Sequence, residues 1–263
     1  MIIHNFDPVF IDLGFFQIKW YSIAYIMGII LGWAYALKII KKLQNNTENF
    51  EPIKRSDFDD LLVYLVLGII LGGRLGYVII YNLSYYFANP LEILMIWQGG
   101  MSFHGAVLGV ILLTYIFSIK TKTNIFYFLD LVALSSPIGI FFGRISNYIN
   151  SELYGRESDI FWSVKFLLVD SLNRHPSQIY EAIFEGLILF IVLNFLISRD
   201  NKKDGYISSF FLIFYSTFRF LIEFTREPDA HIGLILLNLS MGQLVSIIFL
   251  LLGMLIWKFK KNV

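Results

Sequence analysis

Apolar residues along this chain come in long, nearly unbroken runs rather than in the alternation of a strand or the one-sided stripe of a soluble helix. Such runs lie near residues 20–40, 61–81, 92–119, 125–146, 178–198, 206–224 and 241–257. Each approaches the roughly 20 apolar residues that a helix needs to cross the hydrocarbon core of a bilayer. The pattern therefore predicts an all-α integral membrane protein with about seven transmembrane helices. QGGMSFHG (98–105) interrupts the third run, which leaves two readings: one full helix, or a dipping segment followed by a helix from about Phe103. No soluble domain, low-complexity tract or repeat stands out between the runs. Residues 1–263 read as a single polytopic domain, with a small head segment at about 147–177.

Composition agrees with that reading. Hydrophobic residues make up 57% of the chain and charged residues 16%, against about 25% charged in soluble domains. A net charge of +1 gives no basic surface for nucleic acid. The chain contains no cysteine, which excludes disulfides, thiolate metal sites and a cysteine nucleophile of its own. The first twenty residues lack a positively charged start and a small-residue cleavage site, so the first run is expected to direct insertion itself.

Lysines and arginines set the orientation. With the N-terminus outside, Lys41, Lys42, Lys54, Arg55, Lys120, Lys122, Arg199, Lys202, Lys203, Lys258, Lys260 and Lys261 fall on the inner side. Lys19, Arg156, Lys165, Arg174 and Arg226 remain on the outer side. Twelve against five predicts the N-terminus out, the head out and the C-terminus in. Gly28 with Gly32, Gly68 with Gly72 and Gly76, and Gly139 with Gly143 stand at helical spacing. Such rows let helix backbones approach in lipid, and packing is the reading they support.

Arg74, Arg144 and Arg219 fall within or at the ends of predicted spans. An arginine at the bilayer centre costs at least about 2.5 kcal/mol, so each must snorkel, find an anionic partner or line a wet cavity. In the predicted orientation all three lie toward the outer side, where His104, Glu223, Arg226 and Glu227 also gather. Several of these have plainer readings. Arg74 can snorkel and anchor its helix. Arg219 and Glu223, four residues apart, can form an intrahelical ion pair. Glu181 and Glu185 share a face after HPSQIY; they fit acid–base work, or they counter Arg174, His175 or a membrane arginine. Arg144 is harder to explain structurally, because Asn147, Asn150 and Glu152 continue its polar run.

Arginine presents a planar fork suited to phosphate, and a histidine of near-neutral pKa can take a proton from a nucleophile. The glycines of QGGMSFHG permit close backbone approach, and a helix starting near Phe103 offers free N–H groups to an anion. Together these residues suggest phospholipid binding and displacement of a phosphate-bearing leaving group by a nucleophile that belongs to the substrate. The rival reading is a transporter or lipid flippase, in which intramembrane arginines line a path. That reading favours charges through the full membrane depth, whereas here they collect toward one side.

Six blocks carry a resemblance: WYSIAYIMG (20–28), GGRLGYVIIYN (72–82), GGMSFHG (99–105), FGRISNYINSELYG (142–155), HPSQIYEA (175–182) and YSTFRFLIEFTREPD (215–229). In this order they resemble the prolipoprotein diacylglyceryl transferase family over almost the whole chain. The resemblance implies a multi-pass enzyme of the bacterial inner membrane, with seven helices and a small outer head. It implies transfer of the diacylglyceryl group of phosphatidylglycerol to the lipobox cysteine thiol of a preprolipoprotein, forming a thioether and releasing glycerol phosphate. Its partners would be phosphatidylglycerol, lipobox segments and membrane lipids, with no cofactor and no metal.

By motif position, His104, Arg144, Arg219 and Tyr21 would be catalytic. Arg144, Asn147, Glu152, Gly155, Tyr215, Glu223 and Arg226 would bind phosphatidylglycerol. The family commonly reads glycine at the positions of Ser146 and Ser151, so a turn with altered backbone freedom is expected there.

Overall fold

A computed structural model describes residues 2–14, 17–46, 55–96, 99–197, 204–228, 233, 235 and 237–262. Five helices are long and apolar enough to cross a membrane: Trp20–Lys42, Arg55–Ile79, Ile125–Ile149, Ser177–Ile197 and Met241–Lys260. Two shorter apolar helices, Gly105–Thr121 and Tyr206–Ile222, accompany them. The chain is a multi-pass membrane protein. Lys54, Arg199, Lys202 and Lys203, which enter the orientation argument, lie outside the described residues.

The chain divides into two compact units, Leu37–Leu129, and Met1–Ala36 together with Asp130–Val263. Helices α1 (Trp20–Asn46) and α6 (Ile125–Ile149) run through both. In the first unit, α2 (Arg55–Leu67) continues through a π-helical turn (Gly68–Gly72) into α3 (Gly73–Tyr81). A short α4 (Leu83–Ala88) and a 3-10 turn (Pro90–Leu94) follow, and then α5 (Phe103–Thr121). The third apolar run thus takes its second reading, a short segment and then a helix from Phe103. Ser102 caps that helix by accepting from Gly105 N at 3.2 Å.

The glycine row Gly68–Gly72–Gly76 lies against Gly105 and Gly109 of α5. A Cβ on Gly68 would fall 2.8 Å from Gly109 O, and one on Gly76 would fall 2.6 Å from Gly105 Cα. Any side chain there would push the two helices apart, and in lipid this close packing is what holds them together. Gly28 meets Gly139 in the same way, with 2.9 Å to Gly139 Cα. A Cβ on Gly139 itself or on Gly143 would meet no described atom within 4 Å, so packing does not require glycine at either of these two positions.

Arg74 does not snorkel. It is buried, and its guanidinium donates to five carbonyls: Ile93 O (2.9 Å), Gly99 O (2.5 Å), Gly100 O (3.2 Å), Glu92 O (2.5 Å) and Met95 O (3.4 Å). It also lies 5.1 Å from the centre of the Tyr86 ring. Carbonyls of irregular backbone are costly to leave unpaired in a membrane protein, and one arginine fork gathers five of them, of which Glu92 O also accepts from Met95 N at 3.1 Å.

In the second unit, α6 ends at Ile149, and the chain then forms a small sheet before α7 (Ser177–Glu181). Strand β4 (Val164–Phe166) pairs antiparallel with β5 (Asn173–Arg174) and parallel with the N-terminal β1 (Ile2–His4), in the order β1-β4-β5. Strands β2 (Val9–Asp12) and β3 (Gln17–Lys19) make a hairpin that leads directly into α1. These five short strands add to the otherwise helical architecture. Runs of two to four residues carry too little periodicity to be read from sequence.

Ser151 explains part of the turn after α6. It adopts φ +56°, the left-handed region that disfavours side chains. Its hydroxyl compensates by meeting His4 Nδ1 at 3.2 Å. His4 itself is buried among the rings of Phe6, Tyr148 and Phe166, and burial pushes its imidazole below the ordinary histidine range. Ser146, at the other glycine position, is helical and buried, and its hydroxyl has no hydrogen-bond partner among the described residues.

Helix α7 passes through a second π turn (Ala182–Ile188) into α8 (Leu189–Ile197). Helix α9 (Tyr206–Ile222) packs against α10 (Met241–Asn262). Asp130 of α6 caps the start of α9, accepting from Gly205 N at 2.8 Å and from Ser208 N at 2.7 Å. A carboxylate at a helix N-terminus answers both the orphan N–H groups and the positive end of the dipole.

Candidate active site

Three helical segments bring six charged side chains together in the second unit. Arg144 comes from α6, one turn before its end. Arg219 comes from the last turn of α9, with Glu223 at its C-cap and Arg226 just beyond. Glu181 ends α7, and Glu185 lies in the following π turn. Widening of that turn brings side chains out of ordinary α-register, and π turns recur at functional sites.

Glu181 is the hub. Its Oε2 lies 3.0 Å from Arg144 Nη1, and its Oε1 pairs closely with Arg219 Nη1 and lies 3.5 Å from Arg226 Nη1. Glu185 holds Arg144 Nη2 at 3.3 Å and lies 3.7 Å from Arg219 Nη1. Glu223 holds Arg219 Nη2 at 2.7 Å. Both Glu181 and Glu185 side chains are 0% exposed, whereas Arg144 keeps 16% and Arg219 12%. The carboxylates are therefore sealed, and the arginines retain some exposure. Of the sequence readings for Glu181 and Glu185, the countering of membrane arginines is the one the geometry takes.

Three guanidinium groups against three carboxylates leave the cluster near neutrality, which is how so many charges tolerate burial. Each guanidinium has five N–H donors, and the ion pairs above engage only part of those of Arg144 and Arg219. Arg226 lies outside the spans, and burial and the nearby Arg219 charge push its guanidinium down. An arginine nevertheless stays charged in proteins. An arrangement of this kind can bind a phosphate and stabilise charge that develops on it. Among the described residues, no group of three histidine, aspartate or glutamate side chains converges as metal ligands.

Several of the other residues named from sequence lie near this cluster or serve the head. Tyr215 is buried one turn before Arg219 and stacks on Phe211, with 5.6 Å between ring centres. Asn147 is buried, and its amide donates to Glu152 Oε2 at 3.1 Å, while Glu152 N donates to Asn147 O at 2.9 Å. Gln178 Nε2 donates to Glu152 O at 2.6 Å, tying this turn to α7. Tyr21 lies on α1, and its hydroxyl accepts from Tyr25 at 3.0 Å. His104 lies in the first turn of α5, but its side chain is outside the described residues.

Gly155 has a packing reason to be glycine. Its N–H donates to His175 O at 3.0 Å, and it bridges to Arg226. A Cβ there would fall 2.5 Å from His175 Cβ and 2.8 Å from Thr225 O. This close approach carries the chain after Arg219 into the head. Arg174 fastens the junction, donating to Gly155 O at 3.0 Å and pairing with Asp170 at 2.6 Å and Glu227 at 3.3 Å. Its hydrogen bonds hold the Asp170 carboxyl below the usual carboxylate range.

Sequence reasoning left Glu181 and Glu185 outside the site set, although two glutamates four residues apart in an apolar run were a signal. It also missed Ser240, whose hydroxyl donates to Glu223 Oε1 at 2.8 Å from a helix seventeen residues on.

With this geometry in view, the chain can be set beside known proteins. The family model described as prolipoprotein diacylglyceryl transferase matches residues 8–259. The chain is 50% identical over 256 residues to the phosphatidylglycerol–prolipoprotein diacylglyceryl transferase of Rickettsia typhi, covering 96% of each. It is 48% identical over 256 residues to that of Rickettsia felis, again covering 96% of each. To that of Rickettsia bellii it is 47% identical over 255 residues, covering 96% of this chain and 95% of the relative. Agreement of this extent, spanning every helix that carries the arginine–glutamate cluster, means that the chain belongs to the prolipoprotein diacylglyceryl transferase family.

Proposed function

We propose that this protein transfers the diacylglyceryl group of phosphatidylglycerol to a prolipoprotein, in the first step of lipoprotein maturation, and that the acceptor is the thiol of the lipobox cysteine. The observation that carries the reading is the set of three arginines, Arg226 buried and Arg144 and Arg219 partly exposed, gathered on the fully buried Glu181 at the end of apolar helices. A phosphodiester headgroup is the anion such a cluster suits, and family membership names the reaction.

The chemistry follows from the groups present. A thiol of pKa about 8.5 is mostly protonated at neutral pH. His104 is the proposed base that takes its proton. The thiolate attacks the glycerol carbon that bears the phosphate, so an S–C bond forms as that C–O bond breaks. Glycerol phosphate leaves with the electron pair. Arg144 would grip the phosphate through its planar fork, and Arg219 would meet the charge growing on the departing oxygen. Both are already oriented by Glu181, Glu185 and Glu223, so no reorganisation is needed as the charge develops. Asn147 and Glu152 would flank the headgroup, with Tyr21, Tyr215, Glu223, Gly155 and Arg226 as the further residues implied by the motifs.

The positive-inside bias supports a bacterial inner-membrane enzyme with its N-terminus, the head at 147–177 and the charged cluster outside. A reporter fused after Val263 should then read cytoplasmic and one inserted at Asn173 external; both on one side would overturn the orientation. The activity itself is tested with phosphatidylglycerol vesicles and a lipobox peptide followed by mass spectrometry. The expected product is the peptide carrying diacylglycerol in thioether linkage, with glycerol phosphate released. A cysteine-to-serine peptide that reacts equally well would refute the thiol as acceptor.

A further inference from the structure

The first turn of α10 reaches into the charged cluster. It begins Ser240-Met241-Gly242-Gln243, a capping box in which serine and glutamine answer each other's backbone donors. Gln243 N donates to Ser240 Oγ at 3.2 Å, and Ser240 N donates to Gln243 Oε1 at 3.0 Å. In a surface capping box the serine hydroxyl proton is left to water. Here Ser240 and Gln243 are both buried, and the hydroxyl donates to Glu223 Oε1 at 2.8 Å. Glu223 Oε2 in turn holds Arg219 Nη2 at 2.7 Å. Gly242 closes the cradle, since a Cβ there would fall 2.7 Å from Glu223 Oε1 and 2.9 Å from Glu223 Cδ.

The Arg219 guanidinium is thus held at two corners, Nη1 by Glu181 and Glu185 and Nη2 by Glu223. Two anchored corners fix the plane of the fork, whereas one leaves it free to swivel. Glu223 can act as the second anchor only if its own flexible side chain is fixed, and the capped turn of α10 fixes it. The positive end of that helix also favours the carboxylate charge. We propose that Ser240 is a positioning residue for diacylglyceryl transfer, locking Glu223 so that Arg219 faces the phosphate. This rests on Arg219 serving the chemical step, as proposed above.

Turnover with phosphatidylglycerol and a lipobox peptide is measured for wild type, Ser240→Ala, Ser240→Thr, Glu223→Gln and the Ser240→Ala/Glu223→Gln double variant. Thermal unfolding of each variant is followed in parallel. A loosened catalytic group commonly costs one to two orders of magnitude, so Ser240→Ala should lower kcat by about tenfold with little change in KM for the lipid. Threonine, which keeps both the cap and the hydroxyl donor, should restore kcat to within about twofold. The double variant should be no slower than Glu223→Gln, because contacting residues that act through one path do not add. Loss of thermal stability in Ser240→Ala with wild-type kcat would make Ser240 a cap only and overturn the proposal. Independent, multiplying losses in the double variant would overturn it too. Wild-type kcat in Glu223→Gln would instead sink the reading of Arg219 and Glu223 on which the proposal rests. Should Ser240→Ala fail to fold, Gly242→Ala takes its place: it keeps the cap but crowds Glu223, and a wild-type kcat there would likewise overturn the proposal.

Discussion

Replacing Glu181 with glutamine removes one negative charge and almost no volume, so it isolates electrostatics from packing. Among the described residues Glu181 meets Arg144, Arg219 and Arg226, while Glu185 meets Arg144 and Arg219, at 3.3 and 3.7 Å. The substitution leaves three guanidinium groups facing two carboxylates in a site where Glu181 is fully buried. Each lost pair is worth about 4 kcal/mol at 4 Å in an effective dielectric of 20. Desolvation offsets much of that, and removing one partner of a buried ion pair typically costs about 3–5 kcal/mol in total. At about 2–4 °C per kcal/mol for a chain of this size, Tm should fall by about 10 °C. Glu185→Gln, with two partners at longer range, should fall less.

The uncompensated charge in Glu181→Gln should also draw anions, so glycerol phosphate should raise its Tm more than it raises that of wild type. Thermal unfolding in detergent, with and without glycerol phosphate, reads both effects. A Tm within about 2 °C of wild type, about 0.5–1 kcal/mol on the same scale, would refute the counter-ion role. A larger loss in Glu185→Gln than in Glu181→Gln would refute the ranking drawn from the distances.

Arg144→Lys keeps one charge but loses the fork that spans Glu181 and Glu185, so transfer should drop about 100-fold or more while the protein still inserts; near-normal turnover would exclude the phosphate-clamp role. Ser151→Ala keeps the left-handed strain and loses the bond to His4, and should cost about 1 kcal/mol in chemical or thermal unfolding. Ser151→Gly loses the same bond but relieves strain of about 1–2 kcal/mol, and should be neutral or slightly stabilising. In the head, the Asp170 carboxyl is held below its unfolded value by Arg174. Its contribution to stability is therefore full above the ordinary aspartate range and is lost as pH falls through the folded value. Protection of the β4 and β5 amides, taken relative to the intrinsic exchange rate at each pH, should fall on acidification below about pH 4 in wild type, and an Asp170→Asn head should lack that step.

The seven apolar runs were legible in the sequence because hydrocarbon demands both length and near-complete apolarity, and that demand leaves a one-dimensional trace. The same intolerance singled out Arg144 and Arg219 as groups that must be compensated, and the blocks around them were enough to suggest the family. Pattern alone could not say what compensates each arginine, because it reports position along a helix and not which neighbour the helix turns toward. Arg74 falls within a span as Arg144 and Arg219 do and reads as an anchor that snorkels, yet it is held by five carbonyls of one segment, while the other two share Glu181. Glu181 and Ser240 reach the cluster from helices far along the chain, and His4 meets Ser151 across 147 residues. Contacts of that kind leave no periodicity; they exist only once packing has set the helices side by side, and packing is where the near-neutral balance of three arginines and three glutamates is decided.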